Sequence, residues 1–301
     1  MKRKIVQHGS SSLTLTLPKK WVNKFNLKKS DELEVEEAGS NLIVSTNKEQ
    51  ASPKKELSTD ESGIFTKNNL SHLYQLGYDE VVVRFKDSKT LEDIKKRLPA
   101  CMGFEIIDQT ESKVYIKAIA TTMESEFDTL LRKSFQITNE MAKNILEALQ
   151  KVDYEKLDSI RNMETLNNKF TDVCTRILNK KGYKNPHRTM QIYEIVKNIE
   201  RIADEFKYIC DALQGYTKKL DKELVDGFKK ATDYYLAFYN MFYKFDPSLK
   251  KKLYTERKTL VKKFAESLKN SRGINSLLLH NYISIVQKTY EGAGAYFALV
   301  L

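Results

Sequence analysis

Cysteine is scarce in this chain. Cys101, Cys174 and Cys210 lie far apart in 301 residues, with no C-x-x-C pair and no histidine at metal-site spacing. That excludes a disulfide framework and a zinc-ribbon pattern, and leaves three reduced core thiols of the kind a reducing compartment keeps. Long apolar runs are missing as well. No stretch approaches the roughly 18 to 20 residues that span a bilayer, the N-terminus has no apolar signal region, and the closing run 295–301 is too short to change this. A cytoplasmic protein without membrane insertion is expected. The four histidines, His8, His72, His187 and His280, are scattered, and no Gly-rich phosphate loop or nucleophile elbow occurs. The expectation is that the chain is not an enzyme.

Acids are absent from the first thirty residues, which hold eight lysines or arginines. The first carboxylate, Asp31, opens an acidic run through Glu32, Glu34, Glu36 and Glu37. Clustered bases gain free energy by releasing phosphate counterions, and the net charge of +11 points the same way, toward a polyanionic partner with nucleic acid first. The expected contacts are Lys2, Arg3, Lys4, His8, Lys19, Lys20 and Lys24.

The length allows two domains or three small ones, and three textures follow one another. Residues 1–47 read as short strands at 4–7, 13–17, 33–36 and 41–45, with Pro18 opening a short helix over 19–25. So small a segment cannot bury enough apolar surface alone, which implies an intertwined homodimer or a larger partner. Residues 48–62 are polar, lack periodicity and read as a linker. Residues 63–120 read as a compact α/β unit in βαββ order: a helix ending at Gly77, a strand at 80–85, a helix from Thr90 stopped by Pro99, and strands at 104–108 and 113–118.

From 124 to 301 the helical period takes over. Six helices are expected, at 124–150, 154–180, 187–213, 218–244, 247–271 and 274–301, with short loops that favour antiparallel packing. They read as two three-helix repeats, 124–213 and 218–301. A shift of ninety positions lays Ile195-Val196 on Ile285-Val286, Ala203 on Ala293 and Phe206 on Tyr296. The competing explanation is that any two amphipathic helices superpose their apolar positions. The fold class is therefore multidomain α+β.

One constellation could carry chemistry. Glu200 and Asp204 share a helical face at i and i+4, and like charges so placed repel by a few tenths of a kcal/mol, a cost that a cation would offset. Chance alone gives on the order of five such acidic pairs in a chain of this composition, and there are four, so by spacing alone a solvated face is the better reading. Glu164, Asn168 and Asp172 form a second stripe on the preceding helix, which an antiparallel neighbour would bring opposite the first. In the ninety-residue shift Tyr290 replaces Glu200 and Gly294 replaces Asp204. Tyr234, Tyr235, Tyr239 and Tyr243 read as core or interface. Residues 244–269 hold nine bases and three acids, which suits a solvated helix face or a second contact for anions.

Two resemblances follow. Residues 4–21, with Leu17-Pro18-Lys19-Lys20-Trp21 as the turn and Ser30-Asp31-Glu32-Leu33 after it, resemble the AbrB/MazE/SpoVT swapped-hairpin DNA-binding domain, with Ser30 where glycine is usual. That resemblance implies two chains interleaved into one β-barrel. Asn198-Ile199-Glu200-Arg201-Ile202-Ala203-Asp204 resembles the Asn-Leu-Glu-Arg-Ile-Gly-Asp of PhoU proteins. This second resemblance implies a regulator of phosphate uptake whose acidic motif takes a divalent, iron or zinc ion, here at Glu200, Asp204 and, by type only, Glu164. It also implies phosphate transporters or signalling proteins as partners. Together they look like the AbrB-PhoU fusions of archaeal-type phosphate-uptake regulators. The alternatives are a transporter accessory whose N-terminal domain only dimerises or binds a protein such as a toxin, and a metal-dependent hydrolase, for which no nucleophile or phosphate cradle is visible.

Overall fold

The computed structural model describes residues 2–46, 53–59, 67–119 and 124–300. The chain divides into two compact units, Met1–Pro53 and Lys54–Leu301.

In the first unit β1 (Ile5–His8) pairs antiparallel with β2 (Ser12–Leu15), Ile5 opposite Leu15 and Gln7 opposite Leu13. Gly9 turns the hairpin at φ +70°, a conformation glycine adopts without a Cβ clash. The Pro18 carbonyl accepts the amides of Trp21 and Val22 (2.9 and 3.0 Å), which starts α1 (Lys19–Lys24). Ser30 follows at φ +74°, the left-handed conformation that accounts for glycine being usual there. β3 (Glu34–Ala38) then pairs antiparallel with β4 (Asn41–Ser45).

The barrel expected from the resemblance is not formed by one chain. The two hairpins make separate two-stranded sheets among the described residues. Strands of four or five residues in isolated pairs cannot close on themselves or cover an apolar face. Ile5, Leu13 and Leu15, which share one face of the first hairpin, are accordingly exposed by 64%, 67% and 53%.

The second unit begins where a linker was expected. Lys54–Ser58 is strand β5, parallel to β6 (Glu80–Arg84). Its one apolar residue, Leu57, packs against the core, and Glu56 accepts from Arg84 Nε at 2.7 Å. Pairing with the apolar β6 makes this segment a strand, and no hydrophobic pattern of its own announces it. The rest of the expected linker, apart from Pro53 and Thr59, lies outside the described residues. The sheet order is β5-β6-β8-β7, with β7 (Phe104–Gln109) and β8 (Lys113–Ala118) antiparallel to each other and β8 antiparallel to β6. The extra strand changes the expected βαββ order to βαβαββ.

Helix α2 (Lys67–Gln75) stops two residues before Gly77, whose amide donates to the Tyr74 carbonyl at 3.0 Å in the turn that closes it. There φ is +90° and a Cβ would lie 2.6 Å from Lys180 Cγ, so the position also needs glycine for space. Helix α3 (Ser88–Arg97) is capped by the Asp87 carboxylate, which accepts the Lys89 amide at 2.9 Å. It gives way to a 3-10 turn containing Pro99.

Six helices follow: α4 (Phe127–Lys151), α5 (Leu157–Lys181), α6 (Thr189–Leu213), α7 (Lys222–Tyr243), α8 (Pro247–Lys269) and α9 (Ile274–Val300). Helices α4, α5 and α6 pack on one another, as do α7, α8 and α9, and α6 lies along α9 to join the two sets. Gly292 permits that close crossing, since a Cβ there would stand 3.3 Å from Asn198 Cβ and from the Phe238 ring. Phe135 of α4 meets Phe238, Tyr239, Phe242 and Tyr243 of α7 at centroid distances of 5.0 to 5.8 Å. Tyr234 and Tyr235 are fully buried and belong to the core, Tyr239 is partly buried, and Tyr243 lies at the exposed edge of the cluster. No helix of the described residues is long and apolar enough to cross a membrane.

The α/β unit is fastened to α5 by buried polar contacts. The Arg176 guanidinium donates to the carbonyls of Tyr74 and Tyr78 at 2.8 Å each, pairs with Asp79, and lies over the rings of Tyr74 and Phe104. All three cysteines are free and buried. Burial pushes the thiols of Cys101 and Cys210 up to about 12 and raises that of Cys174 as well, so none is a ready nucleophile.

Candidate functional sites

The basic residues of the first unit fall into two local groups. Lys2, Arg3 and Lys4 precede β1, His8 ends it, and Lys19, Lys20 and Lys24 lie on α1, where Lys20 and Lys24 are one turn apart on the same face. All seven side chains are exposed, and no ion pair engages any of them among the described residues. Lys24 Nζ lies 5.5 Å from the Phe25 ring centroid, and Trp21 packs on Phe25 at 5.3 Å. The arrangement offers exposed lysines and arginine without ion-pair partners among the described residues, Lys24 of them beside a small aromatic pair, and such groups can bind phosphates without regard to base sequence.

The acidic residues of the bundle come together along the line between α5 and α6. Glu164, Asn168 and Asp172 recur every four residues on α5, and the antiparallel α6 brings Glu200 and Asp204 opposite them. Lys207, absent from the expected site, stands between the two helices. Its Nζ donates to Glu164 Oε1 at 2.9 Å and to Asp204 Oδ1 at 2.6 Å. Burial works against the Lys207 charge, yet the hydrogen bonds to Asp204 and Glu164 outweigh it and hold the ammonium above its ordinary range. Asn168 Nδ2 adds a 2.6 Å bond to Glu164 Oε1.

Glu200 is likewise engaged, by Lys197 one turn before it. Asp172 is 2% exposed and receives Arg97 at 3.1 Å and Gln75 Nε2 at 2.6 Å, both from the α/β unit. Burial, and behind it the Glu200 carboxylate, push the Asp172 carboxyl up to about 6, against the pull of Arg97 and Gln75.

Of the expected metal ligands, Glu164 and Asp204 meet across Lys207 while Glu200 lies one turn along α6, and each carboxylate already has a cation. Among the described residues no group of three or more His, Cys, Asp or Glu side chains is gathered in a way that could hold a metal ion. A metal at 2.0 to 2.2 Å from these oxygens, about the usual range for hard and borderline ions, would need the place Lys207 Nζ takes. The donor set does not fit the ion. Lys197 and Lys207 carried a sequence signal that was available: each lies three residues from its acid, at Lys197/Glu200 and Asp204/Lys207.

Residues 6–54 match the family model described as antidote-toxin recognition MazE, bacterial antitoxin. Residues 131–213 match the PhoU domain. The chain joins a MazE-type domain to a PhoU domain. The PhoU match spans most of α4 and all of α5 and α6, so Glu164, Asp172, Lys197, Glu200, Asp204 and Lys207 all fall inside it. The MazE-type match covers both hairpins and α1 and runs seven residues past the expected boundary at 47. No curated protein and no solved structure matches the chain.

Proposed function

We propose that the chain is a DNA-binding transcriptional regulator of phosphate uptake, acting in the cytoplasm as a homodimer. The observation that carries it is the set of exposed, unpaired bases on a MazE-type domain, in the same chain as a PhoU domain. The two hairpins would pair with those of a second copy to close a β-barrel, burying Ile5, Leu13 and Leu15 and presenting two basic faces. The bundle, 124–301, is read as a duplication with repeats 124–213 and 218–301. It would sense phosphate status through a transporter or signalling partner, with 63–120 as the connecting unit. No catalytic role is assigned to any residue.

The test is binding of promoter DNA from phosphate-uptake genes, measured as salt is raised. Six lysine or arginine contacts per chain predict a steep fall of affinity with salt, by a slope of about 0.9 for each phosphate neutralised. Arg3→Ala/Lys4→Ala/Lys19→Ala should reduce that slope by about 3 for each engaged chain. Unchanged affinity and slope in the triple variant would remove the arm from DNA binding.

One observation favours a second reading. The matched family model is described by recognition of a protein, a toxin, so the first unit could instead dimerise and bind a protein partner while the PhoU domain serves a transporter. Affinity for an acidic protein with none for DNA at low salt would select that reading.

A further inference from the structure

The charges between α5 and α6 balance almost entirely within the chain. Glu164, Asp172, Glu200 and Asp204 bring four negative charges, and Lys207, Lys197 and Arg97 bring three positive ones. The second three-helix set reaches a similar end by other means. Under the ninety-residue shift Tyr290 and Gly294 stand where Glu200 and Asp204 stand in the first. The Arg257 guanidinium of α8 lies 4.6 Å from the Tyr290 ring centroid, where the negative face of the ring receives a cation. In both sets a fixed basic side chain therefore sits between the second and third helices, at the place the acidic motif would give to a metal.

We infer that this PhoU domain carries its own cations, Lys207 and Lys197 in the first set and Arg257 in the second, in place of a metal ion, and that its fold is independent of metal. The inference rests on reading the bundle as a PhoU-type duplication. Lys207 is the decisive residue. Its ammonium is within hydrogen-bond reach of carboxylates from two helices, so it does the bridging that a divalent ion would do. A second cation at the same oxygens would stand close enough to Lys207 Nζ for their repulsion to oppose entry. Lys207 is also held from behind, with Nζ 4.9 Å from the centroid of the Tyr208 ring. Displacing it would strand a side chain already ordered.

The experiment uses the full chain. Wild type, purified without chelator, is analysed for metal content and then titrated with Mn2+ and with Zn2+, following heat and Tm. The expected result is no stoichiometric metal, and a Tm that neither chelator nor added ion moves. Lys207→Met removes the charge at similar length, and should gain about one equivalent of divalent ion per chain with a rise in Tm. Adding Glu164→Gln should abolish the gain. Lys207→Arg, which keeps a cation, should remain metal-free.

Two results overturn the inference: a stoichiometric metal in wild type that Glu164→Gln or Asp204→Asn removes, or a folded Lys207→Met that takes up no metal. If Lys207→Met does not fold, Lys207→Gln is read in its place, and the wild-type arm stands by itself. DNA binding of the same wild-type sample is scored separately. Its loss would count against the regulator reading and leave the internal cations untouched.

Discussion

Asp172 shows what a single buried side chain does at the junction of sheet and bundle. Arg97 and Gln75 face it from the α/β unit, and Glu200 and Lys197 face it from α6. Its folded carboxyl sits at about 6, above the 3.9 or so of an unfolded aspartate. The folded state therefore binds this proton more tightly than the unfolded chain. The resulting stability is fully present below about pH 4 and is lost as pH rises through about 6. Asp172→Asn cannot ionise, so its stability should not carry this dependence. From about pH 5 to 8 the wild type should lose about 1.4 kcal/mol relative to the variant, measured by urea unfolding at each pH. A constant difference across that range would show that Asp172 is not held in its acid form by burial. Sequence spacing showed that Glu164, Asp172, Glu200 and Asp204 could share a groove. It did not show their cations, because Arg97 is 75 positions from Asp172 and Lys207 is 43 from Glu164. A base three residues from an acid reads as solvated until a neighbouring helix covers it.

At the scale of elements, the six helices were legible because each repeats apolar residues over six or seven turns, and the hairpins because their strands alternate around turns. Strand β5 was not, since Lys-Lys-Glu-Leu-Ser contains one apolar residue and takes its structure from β6. The contact between α6 and α9 was foreshadowed only as a superposition of apolar positions, while its closeness depends on Gly292. Gly292→Ala brings opposing effects. Alanine favours the helix by about 1 kcal/mol over glycine, and its Cβ meets Asn198 and Phe238 at 3.3 Å, where the neighbours must yield slightly. The variant should stay close to wild type. Gly292→Leu forces three further carbons into the same crossing and should cost roughly 1 to 3 kcal/mol, read as a lower urea midpoint with DNA affinity unchanged. A leucine variant as stable as wild type would mean that the two helices cross more loosely than the structure describes.

For the molecule as a whole, the first unit sets the terms. It holds two hairpins, one short helix and a row of exposed apolar side chains, and a fold of some fifty residues with so little covered surface is marginal alone. The proposed association with a second copy would remove that difficulty and double the basic face, so dimerisation and DNA affinity should fail together. Ile5 and Leu15 stand opposite each other in the β1–β2 register, which makes them a single apolar contact. Ile5→Lys/Leu15→Lys places two like charges across the strands and on the surface proposed to be buried. Sedimentation should then change from dimer to monomer at micromolar concentration, and the DNA titration should lose affinity even though two bases have been added. The bundle, with its own core, should keep its helical signal on heating. If the variant sediments as a dimer, the hairpins do not hold the copies together. If it becomes a monomer with stronger DNA binding, the extra charge outweighs pairing, and the basic arm acts chain by chain.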